Sequence, residues 1–154
     1  MQRKHNMIYT SYFEILELFP KTMVPISICI TPPDGYSGPE YKHLAPKVEF
    51  FRKLKLNHDN DYYINEFSRL ILNKIDANSV YADLIQIAKQ YIGALPANAI
   101  RHKHFNIVLL CYEKPTEFCH RHLVAQWLRI MELIVLNLRY EYLNSFYMLW
   151  HKTD

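Results

Sequence analysis

The chain has few of the features that mark nucleotide-binding loops and membrane spans. Only three of its 154 residues are glycine, which is too few for a glycine-lined phosphate cradle, and neither a Walker loop nor a dinucleotide-binding fingerprint occurs. Even the apolar tail over residues 130–150 carries Glu132, Arg139 and Glu141, so no window reaches the roughly 20 uninterrupted apolar residues of a membrane span. These absences exclude the common nucleotide motifs and argue against a membrane protein.

Long runs of like charge and paired cysteines are also missing. The 18 basic and 15 acidic residues are interspersed and give a net charge of +3, so the sequence provides no basic stripe for a nucleic-acid duplex, and nucleic-acid binding is unsupported. The three cysteines are an odd number in a chain with no visible export signal, which favours free thiols over disulfides. We therefore expect a soluble, cytoplasmic protein.

The composition predicts one globular domain. Half of the residues are apolar or aromatic, enough for one core but, in a chain of this length, not for two ordinary domains. We assign residues 7–129 to an α/β domain, residues 1–6 to an N-terminal extension and residues 130–154 to an apolar and aromatic C-terminal extension. The extension concentrates so many large apolar side chains that we expect it to form a homodimer interface. The alternative is that it folds back onto its own sheet as a last strand and helix.

Strands and helices are predicted to alternate along the domain. Short apolar, β-prone runs predict strands over residues 7–10, 24–30 and 105–111. Apolar residues at helical spacing predict helices over residues 13–19, 44–56, 63–75, 80–92 and 119–128. Pro46 is expected in the first turn of the second helix. The loop of N-cap residues over 57–61 is expected to cap the third helix, and Asp76-Ala-Asn78-Ser79 the fourth. This alternation predicts a mainly parallel sheet with flanking helices, a Rossmann-like three-layer arrangement whose ligands bind outside the carboxyl ends of the strands.

The residues best suited to chemistry follow the last predicted strand. Cys111 ends that strand, and Glu113 and the sequence Cys119-His120-Arg121 come after it. If a helix begins at Cys119, the unpaired N–H groups and the helix dipole favour its thiolate, and the same groups bind anions. We therefore consider Cys119 a candidate nucleophile, Glu113 and His120 candidates for proton transfer, and Arg121 an anion-binding side chain.

Two other interpretations of the same residues stay open. Cys119 and Cys111 are also consistent with buried core positions, because unpaired cysteine is among the most buried residue types; Cys111 is otherwise a possible second, resolving thiol. A metal site with Cys111, Cys119 and either His120 or His122 as ligands is the weaker alternative, because structural zinc sites show two close ligand pairs. We expect neither a metal nor another cofactor.

Several segments resemble the family named domain of unknown function 488. They comprise residues 7–12, 24–28, 41–47, 61–63, 110–115, 118–124 and 127–128. The paired Cys-x-Glu and Cys-His-Arg elements are the specific part, and the first segment and Leu44-Ala-Pro-Lys47 are similar to the family's short bacterial and phage subgroup. The resemblance implies a small α/β fold with the Cys-His-Arg element at the active or binding site, but it implies no reaction.

The resemblance also implies a set of site residues. The site itself is expected to comprise Cys111, Glu113, Cys119, His120 and Arg121. Across the site from them, a facing wall is expected to comprise Tyr9, Thr10, Ser11 and Lys47. We expect Lys47, Thr10 and Ser11 to join Arg121 in anion binding. The function predicted is a thiol- or carboxylate-dependent enzyme acting on an anionic, nucleotide-like small molecule. The alternatives are a non-catalytic anion- or nucleotide-binding module and a metal- or redox-sensing protein.

Overall fold

The computed structural model of the protein describes residues 6–96, 104–130 and 135–137. Its strands are β1 (Ile8–Tyr12), β2 (Met23–Ser27), β3 (Asn106–Cys111) and β4 (Val135–Asn137). Its α-helices are α1 (Val48–Asn57), α2 (Asn60–Leu70), α3 (Ala77–Ala94) and α4 (His120–Ile130). Short 3-10 helices span Phe13–Leu18, Lys42–Leu44 and Leu72–Lys74. No helix in these ranges is both long enough and apolar enough to cross a membrane.

The four strands form one parallel sheet in the order β2-β3-β1-β4. Tyr12 of β1 lies opposite Cys111 of β3, and Ser27 of β2 lies opposite Leu110. The carboxyl ends of these three strands therefore meet at one edge of the sheet, where ligands of parallel α/β folds bind. The predicted single α/β domain with a parallel sheet is confirmed. β4 comes from the predicted C-terminal extension, most of which lies outside the described residues.

Both faces of the sheet are covered, as its continuous apolar strands require. Along β3, Ile107 and Leu109 face a core that includes side chains of α2, α3 and α4. Val108 and Leu110 face a second core, which the 3-10 helix Phe13–Leu18 helps to close. The central strands are consequently rigid supports for the groups at their carboxyl ends.

Two helix starts follow the predicted capping chemistry. The Asp59 carboxylate accepts a hydrogen bond from the Tyr62 backbone N–H at 2.9 Å, and the Asp76 carboxylate accepts one from the Ser79 N–H at 2.8 Å. Each satisfies a first-turn donor that the helix itself leaves unpaired.

Three predicted element boundaries or types were wrong in detail. Pro46 precedes α1 instead of entering its first turn, because Ala45 and Lys47 on either side of it are extended and proline disfavours a helical residue before it. The helix predicted at residues 13–19 is a 3-10 helix. The β2 ladder ends at Ser27; its Pro25 is tolerated because β2 lies at an edge of the described sheet.

Candidate functional site

A cluster of three thiols lies at the carboxyl edge of the sheet. Cys29 follows β2, Cys111 ends β3 and Cys119 directly precedes α4. Their residues are 3%, 3% and 4% exposed, and the side chain of Phe13 packs against them. None of the three forms a disulfide. The sequence therefore placed Cys111 and Cys119 together correctly but gave no sign that Cys29 joins them.

His120 connects this cluster to the end of β2. Its Nε2 lies 2.7 Å from the carbonyl oxygen of Ile28, and because a carbonyl only accepts hydrogen bonds, Nε2 carries a hydrogen. The other ring nitrogen, Nδ1, lies 3.8 Å from the Sγ atoms of both Cys111 and Cys119. The Ile28 carbonyl thereby fixes the imidazole so that Nδ1 faces the two thiols.

The two thiols differ in their tendency to ionise. Burial opposes ionisation of Cys119, but hydrogen bonds with Cys111 and His120 outweigh it and lower the pKa of Cys119 to about 6. The hydrogen bond to Cys119, together with burial, raises the pKa of Cys111. Cys119 is therefore the thiol that ionises first, while Cys111 keeps its proton and donates it to neighbouring acceptors.

The start of α4 stabilises this sulfur directly. The backbone N–H of Arg121 donates to Cys119 Sγ at 3.4 Å, so the sulfur occupies the place of a capping oxygen. This hydrogen bond uses a first-turn amide that we had expected to be open to an external anion. An anion at this site therefore depends on side chains more than on the helix start.

Glu113 forms the partly exposed side of the site. Its Oε2 accepts a hydrogen bond from Cys111 Sγ at 3.2 Å, and its residue is half-buried. Burial favours the neutral acid, but hydrogen bonds from Cys119 and Cys111 prevail and lower the pKa of Glu113. Glu113 is therefore an ionised carboxylate that lies next to the thiol cluster.

Arg121 is fully buried at the same edge. Its Nη1 donates to the carbonyl oxygens of Ser11 and Glu113, the latter at 2.9 Å, which ties the end of β1 to the loop after β3. Its Nε and Nη2 have no hydrogen-bond partner among the described residues. Buried donors of a charged group are costly to leave unpaired, so this edge of the guanidinium is a candidate for ligand binding.

The residues predicted to form the facing wall are placed differently from one another. Thr10 and Ser11 are buried in β1, and Ser11 supplies its carbonyl oxygen to Arg121. Tyr9 belongs to the core on the second face of the sheet. Lys47 lines a separate cavity of about 410 Å³ with Lys42 and Lys74, and no member of the thiol cluster lines that cavity.

The sequence matches the model of a known protein family. The family model described as "Active DUF488-N3 subclade" matches residues 20–132, well over half of the chain. The chain belongs to the DUF488 family. The match includes both the Cys-x-Glu and the Cys-His-Arg elements of the site. No curated protein and no solved structure matches this DUF488 chain significantly.

Three side chains of the DUF488 site have the chemistry and spacing of metal ligands. Cys111 Sγ, Cys119 Sγ and a ring nitrogen of His120 lie within 4.8 Å of one another, and all three residues are buried. His122, considered as an alternative ligand from the sequence, is outside this group. Thiolate and imidazole are ligands that zinc prefers.

Proposed function

We propose that the protein is an enzyme that acts on an anionic, nucleotide-like small molecule and that the Glu113 carboxylate is the group that meets it. The observation that supports the anionic ligand is the buried guanidinium of Arg121 with Nε and Nη2 unpaired among the described residues. These two nitrogens lie on the same edge of the guanidinium. They match the two oxygens of a carboxylate or phosphate group.

Glu113 is favoured over Cys119 as the reacting group because of its exposure. The Cys119 sulfur is buried and is already in contact with His120 Nδ1 and the Arg121 backbone N–H, whereas the equally buried Arg121 side chain still has donors without partners among the described residues. Glu113 is half-buried at the sheet edge. With a lowered pKa it acts as a base or nucleophile and not as an acid. The buried Cys111 thiol, which donates to Glu113 Oε2, orients the carboxylate and stabilises its charge.

Two further observations agree with this proposal. The matched subclade is described as active, which favours catalysis over the alternative of a non-catalytic binding module. The three cysteines are free, which fits the reducing cytoplasm that we propose as its location.

Turnover by a Glu113→Gln variant tests the proposed role. We expect wild-type protein, incubated with a panel of nucleotides and sugar phosphates, to convert at least one compound, as detected by mass spectrometry. Glu113→Gln should still be stabilised thermally by that compound but should not convert it. The control is Glu49→Gln, which changes an exposed carboxylate in α1 and should retain wild-type turnover.

The results of this experiment distinguish an enzyme that uses Glu113 from the alternative functions. Full turnover by Glu113→Gln would reject the carboxylate as the reacting group. Thermal stabilisation of the wild type by anions, with no compound converted, would favour the non-catalytic binding module instead.

A further inference from the structure

The distances from His120 to Cys111 and Cys119 fit ligands of one tetrahedral ion. Each of the two sulfurs lies 3.8 Å from His120 Nδ1. Zinc lies 2.3 Å from sulfur and about 2.0 Å from nitrogen in proteins, so the ligand atoms around it are roughly 3.5–3.8 Å apart. The two measured sulfur–nitrogen distances are at the upper end of this range, and all three ligand atoms lie within 4.8 Å of one another.

The orientation of His120 points to the same arrangement. A histidine that binds a metal through one ring nitrogen commonly donates its other N–H to a carbonyl or carboxylate, which fixes the ring. In this chain Nε2 donates to the Ile28 carbonyl oxygen at 2.7 Å. The remaining nitrogen, Nδ1, faces the two sulfurs.

Hydrogen bonding alone does not explain why Cys111, Cys119 and His120 lie together. Thiols are poor donors and acceptors, and the contacts between sulfur and Nδ1 are long. A divalent cation bound by two thiolates and an imidazole would replace these weak contacts with strong bonds.

We propose that Cys111, Cys119 and His120 bind a zinc ion, with Glu113 beside the ion's fourth position. The Glu113 Oε2 lies 3.2 Å from Cys111 Sγ, and its residue is the partly exposed member of the group. Three protein ligands and one open position are the pattern of catalytic zinc sites. A water in that position would lie where Glu113 can accept its proton. Cys111, the thiol that keeps its proton in the metal-free site, releases that proton to solvent when the ion binds.

This inference deepens the proposed function but does not require catalysis. A zinc ion would explain why two cysteines and a histidine surround the carboxylate that we assign to the reaction. Binding of the metal can be measured without a substrate. Binding of the anion depends on Arg121, which is outside the ligand set, so the two proposals can fail separately.

Metal content and cobalt spectroscopy test the inference. Untagged protein purified without chelators should contain about one zinc ion per chain by inductively coupled plasma mass spectrometry. After removal of zinc, titration with Co²⁺ should give a thiolate-to-cobalt charge-transfer band and tetrahedral ligand-field bands. Both sets of bands should saturate at about one equivalent of Co²⁺ per chain.

Variants identify the ligands. Cys111→Ser and Cys119→Ser should each weaken Co²⁺ binding by more than about 100-fold, because even changes beyond the ligands cost 10–100-fold. Cys29→Ser is the matched control, since Cys29 lies in the same buried cluster but outside the ligand set; it should bind Co²⁺ like the wild type. Circular dichroism confirms that each variant is folded.

Two results would overturn the zinc site. One is folded wild-type protein that carries no zinc and shows no charge-transfer band with Co²⁺. The other is a band of unchanged intensity in the folded Cys111→Ser/Cys119→Ser double variant, which would place the metal elsewhere. If the serine variants fail to fold, His120→Gln supplies the same comparison, with loss of the tetrahedral bands expected and their retention contradicting the site.

Discussion

Arg121 makes a structural contact through Nη1 and has further N–H donors available for a ligand. Its Nη1 joins the carbonyl oxygens of Ser11 and Glu113, while Nε and Nη2 lack partners among the described residues. The sequence indicated Arg121 as an anion-binding residue from the Cys-His-Arg element alone. It could not indicate the structural contact, because Ser11 lies 110 positions away along the chain.

Contacts between residues that are distant in sequence also could not be predicted at the thiol site. The Cys-x-Glu and Cys-His-Arg elements are close in sequence, so their proximity could be predicted from a strand followed by a loop and a helix. Cys29 and the Ile28 carbonyl come from the residues directly after β2. Their place beside His120 follows only from the strand order, in which β2 neighbours β3.

At the residue scale, we predict that Cys119 is the most reactive thiol of the metal-free protein. Burial does not distinguish the three cysteines, since all are at most 4% exposed. The pKa of Cys119 is lowered to about 6, whereas the pKa values of Cys29 and Cys111 are raised. After treatment with a chelator, iodoacetamide labelling followed by peptide mass spectrometry should modify Cys119 first at pH 7.

The pH dependence sharpens this prediction. A thiol reacts as its thiolate, so the rate at Cys119 should rise as the pH passes through about 6 and level off above it. The rates at Cys29 and Cys111 should still be rising above pH 8. Equal rates at the three cysteines at pH 7 would show that Cys119 is not ionised preferentially.

At the element scale, local sequence signals were reliable where one side chain decides the structure. Asp59 and Asp76 cap α2 and α3 as expected. The start of α1 was misplaced because an extended Lys47 after Pro46 has no local signal. The β2 ladder ends at Ser27, which pairs with Leu110 of β3 and is also bridged by Glu40, and no local signal in the sequence marks that position.

The Asp76 cap provides a stability prediction. Asp76→Ala removes the acceptor for the Ser79 backbone N–H and for the Ser79 hydroxyl. The free energy of unfolding should fall by about 1 kcal/mol, as measured by urea denaturation followed by circular dichroism.

Asn78→Ala is the control for the cap. It changes an exposed residue in the same helical turn and should leave the free energy of unfolding within about 0.5 kcal/mol of the wild-type value. Equal losses in the two variants would mean that Asp76 does not act through its capping hydrogen bond.

At the scale of the whole molecule, the parallel sheet accounts for the position of the site. Sequence alternation was sufficient to predict the parallel sheet, because strands that alternate with helices along a chain usually form one. It was not sufficient to show that a strand from the C-terminal region would join the sheet through β1. The remainder of that region, residues 131–134 and 138–154, lies outside the described residues.

The C-terminal region carries our prediction of a homodimer. Residues 130–150 contain many large apolar and aromatic side chains, and such concentrations are typical of interface cores. Multi-angle light scattering at micromolar concentrations should give twice the chain mass of 18.5 kDa. Deletion of residues 139–154 should give a monomer; a monomeric full-length chain would contradict the dimer.

The central claim, that Arg121 binds the anionic part of a ligand, can be tested at the atom concerned. The Nε–H groups of arginine are observed directly in two-dimensional ¹H–¹⁵N spectra, and the signal of Arg121 can be assigned by its absence in Arg121→Lys. We predict that the Arg121 Nε–H signal shifts as inorganic phosphate is added and that the shift saturates. Arg69, which is exposed and paired with Glu66, is the control. Phosphate should move its Nε–H signal no more than chloride does at equal ionic strength. An Arg121 signal that does not respond to phosphate in the folded protein would contradict the claim.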